Sequence, residues 1–184
     1  MNLLDILPIV LIVGYGVLGY FTGVLHRFVG LVALFLAFLA ATAMGLQAGG
    51  ILQQTSNFET PDARIYGFFG IVITVLVVID GAAWLAKGQI KIDAIVFNRA
   101  IGVMIGVLTA VFLSVVVVHE LEAAGTPFGG PQLDPLESSI HNAVSHSHIA
   151  VPLVDRIGTP FVDLFQPFLP SDPQIYFGQG PVNP

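Results

Sequence analysis

Long uncharged runs constrain this chain more than any other feature. No charged residue falls between Asp5 and His26, within residues 28–58, or within residues 100–118. A helix rises about 1.5 Å per residue, so about 20 apolar residues cross a hydrocarbon core of about 30 Å. A water-soluble fold would have no polar face to present along such runs. Composition agrees: 55% of residues are hydrophobic and 10% charged, with a mean hydropathy of +0.86, whereas soluble domains are about 25% charged. The expected fold is an all-α membrane protein, a bundle of about four transmembrane helices followed by an outward amphipathic helical tail.

In chain order, span one covers residues 6–25, with Asp5 as a candidate cap and Pro8 in the first turn, where its missing N–H costs nothing. Span two covers residues 28–46, and the short link is expected to be a tight turn within residues 19–27 in preference to one kinked helix. Residues 47–62 read as an aqueous loop, from Gly49-Gly50, Gln53-Gln54, Ser56-Asn57 and Pro61. Span three covers residues 64–86 and is interrupted by Asp80; residues 87–93 suit an interfacial stretch; span four covers residues 100–118. His119, Glu120 and Glu122 then mark the exit from the bilayer. The division is a membrane domain, 1–118, and an extracytoplasmic tail, 119–184.

Small residues recur every fourth position in two spans: Ala33, Ala37, Ala41 and Gly45 in one, Gly102, Gly106, Ala110 and Ser114 in the other. Each step turns about 40°, so each set lies on one face and lets another backbone approach closely. In the tail, Asp134-Pro135-Leu136-Glu137 has the form of a capping box. The helix it starts places Leu136, Ile140, Ala143 and Val144 on one face and Glu137, Ser138, His141 and Ser145 on the other. Thr159-Pro160 opens a second amphipathic piece with Phe161, Leu164, Phe165 and Phe168, and residues 171–184 have no reason to order by themselves. The apolar faces Leu136, Ile140, Val144 and Phe161, Phe165, Phe168 are expected to dock a partner, with the bilayer surface as the competing dock.

Six basic residues against twelve acidic ones, a net charge of −6, exclude an electrostatic footprint for nucleic acid. Without cysteine there is no disulfide framework and no Cys zinc site. The first residues carry no basic region and no A-x-A site follows, so span one is expected to be retained and not cleaved. Arg27, Lys87, Lys91 and Arg99 fall on one side of the expected spans and Arg64 on the other. The positive-inside rule places the first group in the cytoplasm and both termini outside.

Gly19-x-x-x-Gly23-x-x-x-Arg27 and Asn98-Arg99-x-x-Gly102-x-x-x-Gly106 resemble the two glycine and arginine signatures of the colicin V production protein family, small bacterial inner-membrane proteins with about four helices. The resemblance covers residues 5–118. It departs at Asn98, where the family commonly has Asp, and at Thr109-Ala110, where Arg-Gly often follows. It implies links to toxin production and export or envelope function, without an agreed biochemical activity.

Asp80 is the strongest single functional candidate, because an ionisable group in a span is costly and usually lines an interior or a pathway. The plainer reading is a structural pair with Lys87 or Arg99; with Arg27 these residues mark the membrane boundary. His141, His146, His148, His119, Glu120 and Glu122 match no usual closed metal-site spacing, and no nucleophile elbow surrounds Ser145-His146. The glycines of span one lack the strand and Lys-Ser/Thr of a phosphate loop. No metal, cofactor or catalytic residue is expected. The expected function is a non-enzymatic membrane scaffold or accessory subunit packing against other integral membrane proteins, in a hetero-complex or homo-oligomer within the lipid bilayer. The alternative is a small transporter or channel component using Asp80.

Overall fold

Apolar runs without alternation satisfy their backbone polar groups in a membrane only by forming helices or closing a barrel. The computed structural model describes residues 3–56, 58–86, 95–126 and 135–177, and among them there is no strand. Three helices are long and apolar enough to cross a membrane: α1 (Leu3–Ser56), α2 (Thr60–Ala86) and α3 (Ile95–Ala124). The remainder is α4 (Pro135–Ser145), then α5 (Ala150–Leu153), which passes through a π-turn (Val154–Gly158) into α6 (Thr159–Phe165), and finally a 3-10 turn (Gln166–Phe168) and α7 (Pro173–Phe177).

Three long helices stand where the sequence suggests four spans, and the difference lies in α1. Its 54 residues contain one non-helical position, Gly23, at φ 77° and ψ −177°. Side chains other than glycine essentially never occupy that region, so the chain turns there on one residue instead of through a loop. The two halves of α1 then run in opposite directions along α3. Gly19 abuts Gly102 and Tyr15 abuts Gly106, while Leu4 packs with Val115 and Val118. After the break the sense reverses: Arg27 lies beside Gly106, and Phe38 shares the ring of Phe165 with Phe112. Leu4 and Phe38 would be about 50 Å apart in a straight helix, yet both lie against the same two turns of α3.

The second half of α1 runs antiparallel to α2, with Gly30 near Asp80, Gly45 against Phe68 and Gly49 against Ala63. This explains why residues 47–56 and 60–62, expected in a loop, are helical. The helices continue to Ser56 and resume at Thr60, because Gly49 and Gly67 let the two backbones cross at contact distance instead of breaking the chain. Residues 87–93, including Lys87 and Lys91, and Asp134 lie outside the described residues.

The core fills the space between these helices. Ala33, Ala37, Ala41, Ala110 and Ser114 are fully buried, and the Ser114 hydroxyl donates to its own helix at the Ala110 carbonyl, 2.7 Å. α3 continues through His119 to Ala124, and Glu120, expected at the water boundary, is fully buried.

The tail folds back onto the chain's own helices, and the apolar residues expected to dock a partner pack there. Phe165 is fully buried, stacked on Phe35 at 4.3 Å; Leu136, Ile140, Phe161 and Phe168 pack on the same core, and Val144 on the cluster around Leu4. The anchors are thus satisfied within one chain. Glu137, expected on the solvent face of α4, is buried. Of residues 171–184, expected to lack order, 178–184 lie outside the described residues, but α7 forms before them and Phe177 is only 1% exposed, its ring 5.3 Å from that of Phe68. Two aromatics seat this segment, although its Pro and Gln content reads as unstructured.

Asp5 has a role different from the expected cap of span one. Fully buried, its Oδ1 accepts from the Ser147 hydroxyl at 2.7 Å and from the backbone N–H groups of His148, Ile149 and Ala150 at 3.0, 2.9 and 3.4 Å. Ser147 in turn accepts from Ala150 and Val151 N–H. The carboxylate therefore caps α5, satisfying N–H groups that a helix start leaves open.

Candidate functional site at the helix break

A break inside a membrane helix frees backbone groups that need partners. The N–H of Val24 finds one across the bundle, donating to Asn98 Oδ1 at 2.8 Å. The same side chain closes over Gly23: a Cβ there would lie 2.6 Å from the Asn98 amide nitrogen. Gly23 and Asn98 are thus complementary, the first making the turn and the second satisfying and covering it. Position 98 here supplies an acceptor oxygen and needs no negative charge to do so.

Around this joint the two glycine and arginine signatures meet. A side chain on Gly19 would strike the backbone of Gly102, one on Gly102 would strike Gly19 and Gly23, and one on Gly106 would strike Tyr15. Arg27, 3% exposed, runs past Gly106; its Nε donates to Thr22 Oγ1 at 3.0 Å and its guanidinium lies 5.4 Å from the centre of the Tyr15 ring. Arg99 sits at the outside of the cluster, donating to the Tyr20 hydroxyl at 3.2 Å with the ring 5.0 Å below it. Both arginines use an aromatic face, which accepts a cation where water is scarce.

Asp80 pairs with a residue that the sequence did not single out. Its Oδ1 is 3.9 Å from His26 Nε2, with side-chain exposures of 35% and 7%. Arg99 is turned to Tyr20 instead, and Lys87 lies outside the described residues. His26 was discernible only as the neighbour of Arg27; the fold-back at Gly23 brings it to the end of α2. Tyr15, Tyr20 and Thr22 were missed for the same reason, since their use depends on α1 doubling back. Val107, half-buried, lies 3.5 Å from where a Cβ on Gly16 would be.

The histidines of the tail have separate surroundings. His141 Nδ1 lies 3.2 Å from the Gly125 carbonyl oxygen, and His146 Nδ1 lies 3.0 Å from that of Asn142. Among the described residues no three His, Asp or Glu side chains converge as metal ligands would.

The colicin V production protein family matches residues 4–155, a span that takes in the whole joint, both signatures and the Asp5 cap. This chain belongs to the colicin V production family. No curated protein and no solved structure matches it significantly. With three apolar helices of spanning length, this family member is a membrane protein. Its family is not a known enzyme family.

Proposed function

We propose that this protein is a non-enzymatic scaffold or accessory subunit of the bacterial inner membrane, serving toxin production or export by packing against other integral membrane proteins. The link to toxin production comes from the family. The observation that carries the scaffold reading is how the glycines divide. Those of the α1–α3 and α1–α2 crossings are filled by backbone from the same chain, whereas a Cβ on Gly70 or Gly81 of α2 would meet nothing within 4 Å. The two lie eleven residues apart, about 20° around the helix, with exposed Thr74 between them. Ile73, Val77, Val78, Trp84 and Leu85 surround them, each more than 60% exposed. An apolar face with a small-residue stripe lets a neighbouring helix come to backbone distance.

The test is co-purification in a gentle detergent, comparing the parent chain with a Gly70→Leu, Gly81→Leu variant. The expected outcome is loss of a stoichiometric membrane partner from the variant, with its helicity unchanged. An identical set of co-purifying chains would refute the scaffold reading. A second reading, a small transporter component, is favoured by the His26–Asp80 pair within the bundle. It requires flux in liposomes from the protein alone, abolished by Asp80→Asn without loss of assembly.

A further inference from the structure

Glu120 lies on the penultimate turn of α3, fully buried, and among the described residues neither carboxyl oxygen has a hydrogen-bond partner. One turn to either side, Val116 and Ala124 are buried in the apolar core. An ionised carboxylate stripped of water and given no donor is strongly disfavoured, and the group neutralises instead. Nothing in the joint at Gly23 uses this residue, which stands at the opposite end of α3.

The chain end packs against the same core. α7 lies across it: Phe177 packs on Phe68, the Tyr176 ring lies 5.6 Å from Phe68, and the Tyr176 hydroxyl donates to the Ala41 carbonyl at 2.9 Å. Arg64 donates to the Ile175 carbonyl at 3.5 Å, and Asp172 caps the helix at Ile175 N–H, 3.2 Å. Burial pushes the Tyr176 phenol up to about 12; a backbone hydrogen bond at Leu46 and the charge of Arg64 oppose the shift, and Glu120 adds to it. The phenol is therefore within electrostatic reach of both the carboxyl and the guanidinium. Tyr176 of α7 interacts electrostatically with Glu120, Arg64 of α2 interacts with Tyr176, and His119 and Glu122 stand beside Glu120 on α3. None of them hydrogen-bonds to either oxygen.

We propose that Glu120 is a proton-binding site and that α7 is its door. While α7 is seated the carboxyl holds its proton; when α7 lifts, water enters and the proton leaves to it, so proton release and undocking of the chain end are one event. The ligand is the proton itself. A single carboxyl with a tyrosine hydroxyl already committed to Ala41 offers too few oxygens for a larger cation.

Infrared difference spectroscopy on the full-length protein at neutral pH tests this. The parent minus Glu120→Gln difference is expected to contain the carbonyl band of a protonated carboxylic acid. A spectrum without that band overturns the site. In Phe177→Ala the band is expected to be lost, with amide hydrogen exchange at residues 175–177 accelerated at least about tenfold. Should Phe177→Ala leave α7 seated, Phe177→Arg, which puts a lasting charge beneath it and adds no carboxyl, is expected to release it. Persistence of the band with α7 released overturns the door. If Glu120→Gln fails to assemble, mass spectrometry of the parent after an apolar carbodiimide, which adds to protonated carboxyls, is expected to find the adduct on Glu120; an unmodified Glu120 counts against the proposal.

Discussion

Gly23 and Asn98 show how two residues remote in sequence can settle one another. The backbone of Gly23 has φ 77°, and Asn98 receives the N–H that the turn releases. Asn98→Leu leaves the Val24 N–H without an acceptor in a part-buried setting, an expected loss of about 1–3 kcal/mol. Asn98→Asp keeps the oxygen and should cost less than about half of that. Thermal unfolding of the detergent-solubilised variants ranks them; equal losses would mean that the hydrogen bond is not what position 98 contributes. The glycine was legible in the sequence as part of a small-residue pattern, and the turn was expected in its vicinity. The role of Asn98 was not, because an amide before a span reads equally well as a boundary residue until the strand of contacts across the bundle is known. Glu120 was misplaced for a related reason: three ionisable residues in four positions signal water, but a helix points them in different directions, and only Glu122 of the three is exposed.

Among the elements, α3 carries the contacts that make α1 double back. Gly106 faces the Tyr15 carbonyl at contact distance, whereas Met104 is 70% exposed on the opposite side. Gly106→Leu should therefore lower stability by about 1–3 kcal/mol, the usual cost of overpacking, and Met104→Leu should be nearly neutral. Unfolding midpoints in one detergent compare them directly, and a similar shift for both would dissociate the glycine from the crossing. The existence and apolar character of α2 and α3 could be read from their uncharged runs. The length of α1 could not, since Gly49 and Gly50, ordinarily signs of a loop, here sit inside it, with Gly49 against Ala63 of α2. The short α7 escaped the sequence altogether: five residues have little intrinsic tendency to be helical, and it forms because Phe177 and Tyr176 find Phe68 beneath them.

At the scale of the whole molecule, the break at Gly23, the end of α2 and the start of α3 gather at one end, with the Asp5 cap and the α1–α2 connection at the other. The clustering of Arg27 and Arg99 at the first end supports an orientation with that end in the cytoplasm. Single cysteines introduced at Asn57, Gly88 and Asn183 should react with a membrane-impermeant thiol reagent in intact cells at Asn57 and Asn183 only. Labelling at Gly88 would invert the assignment. The all-helical class and the family were open to a reader of the sequence. The return of the tail was not, because an amphipathic face does not say whose surface it will cover. Asp5 gives that return a consequence in time. Ribosomal synthesis delivers residue 5 first and residues 147–150 long afterwards, so the opening helix enters the bundle with a carboxylate awaiting its donors. A later-made segment thus completes an earlier one, and a nascent chain interrupted before Ser147 leaves the Asp5 site unfinished.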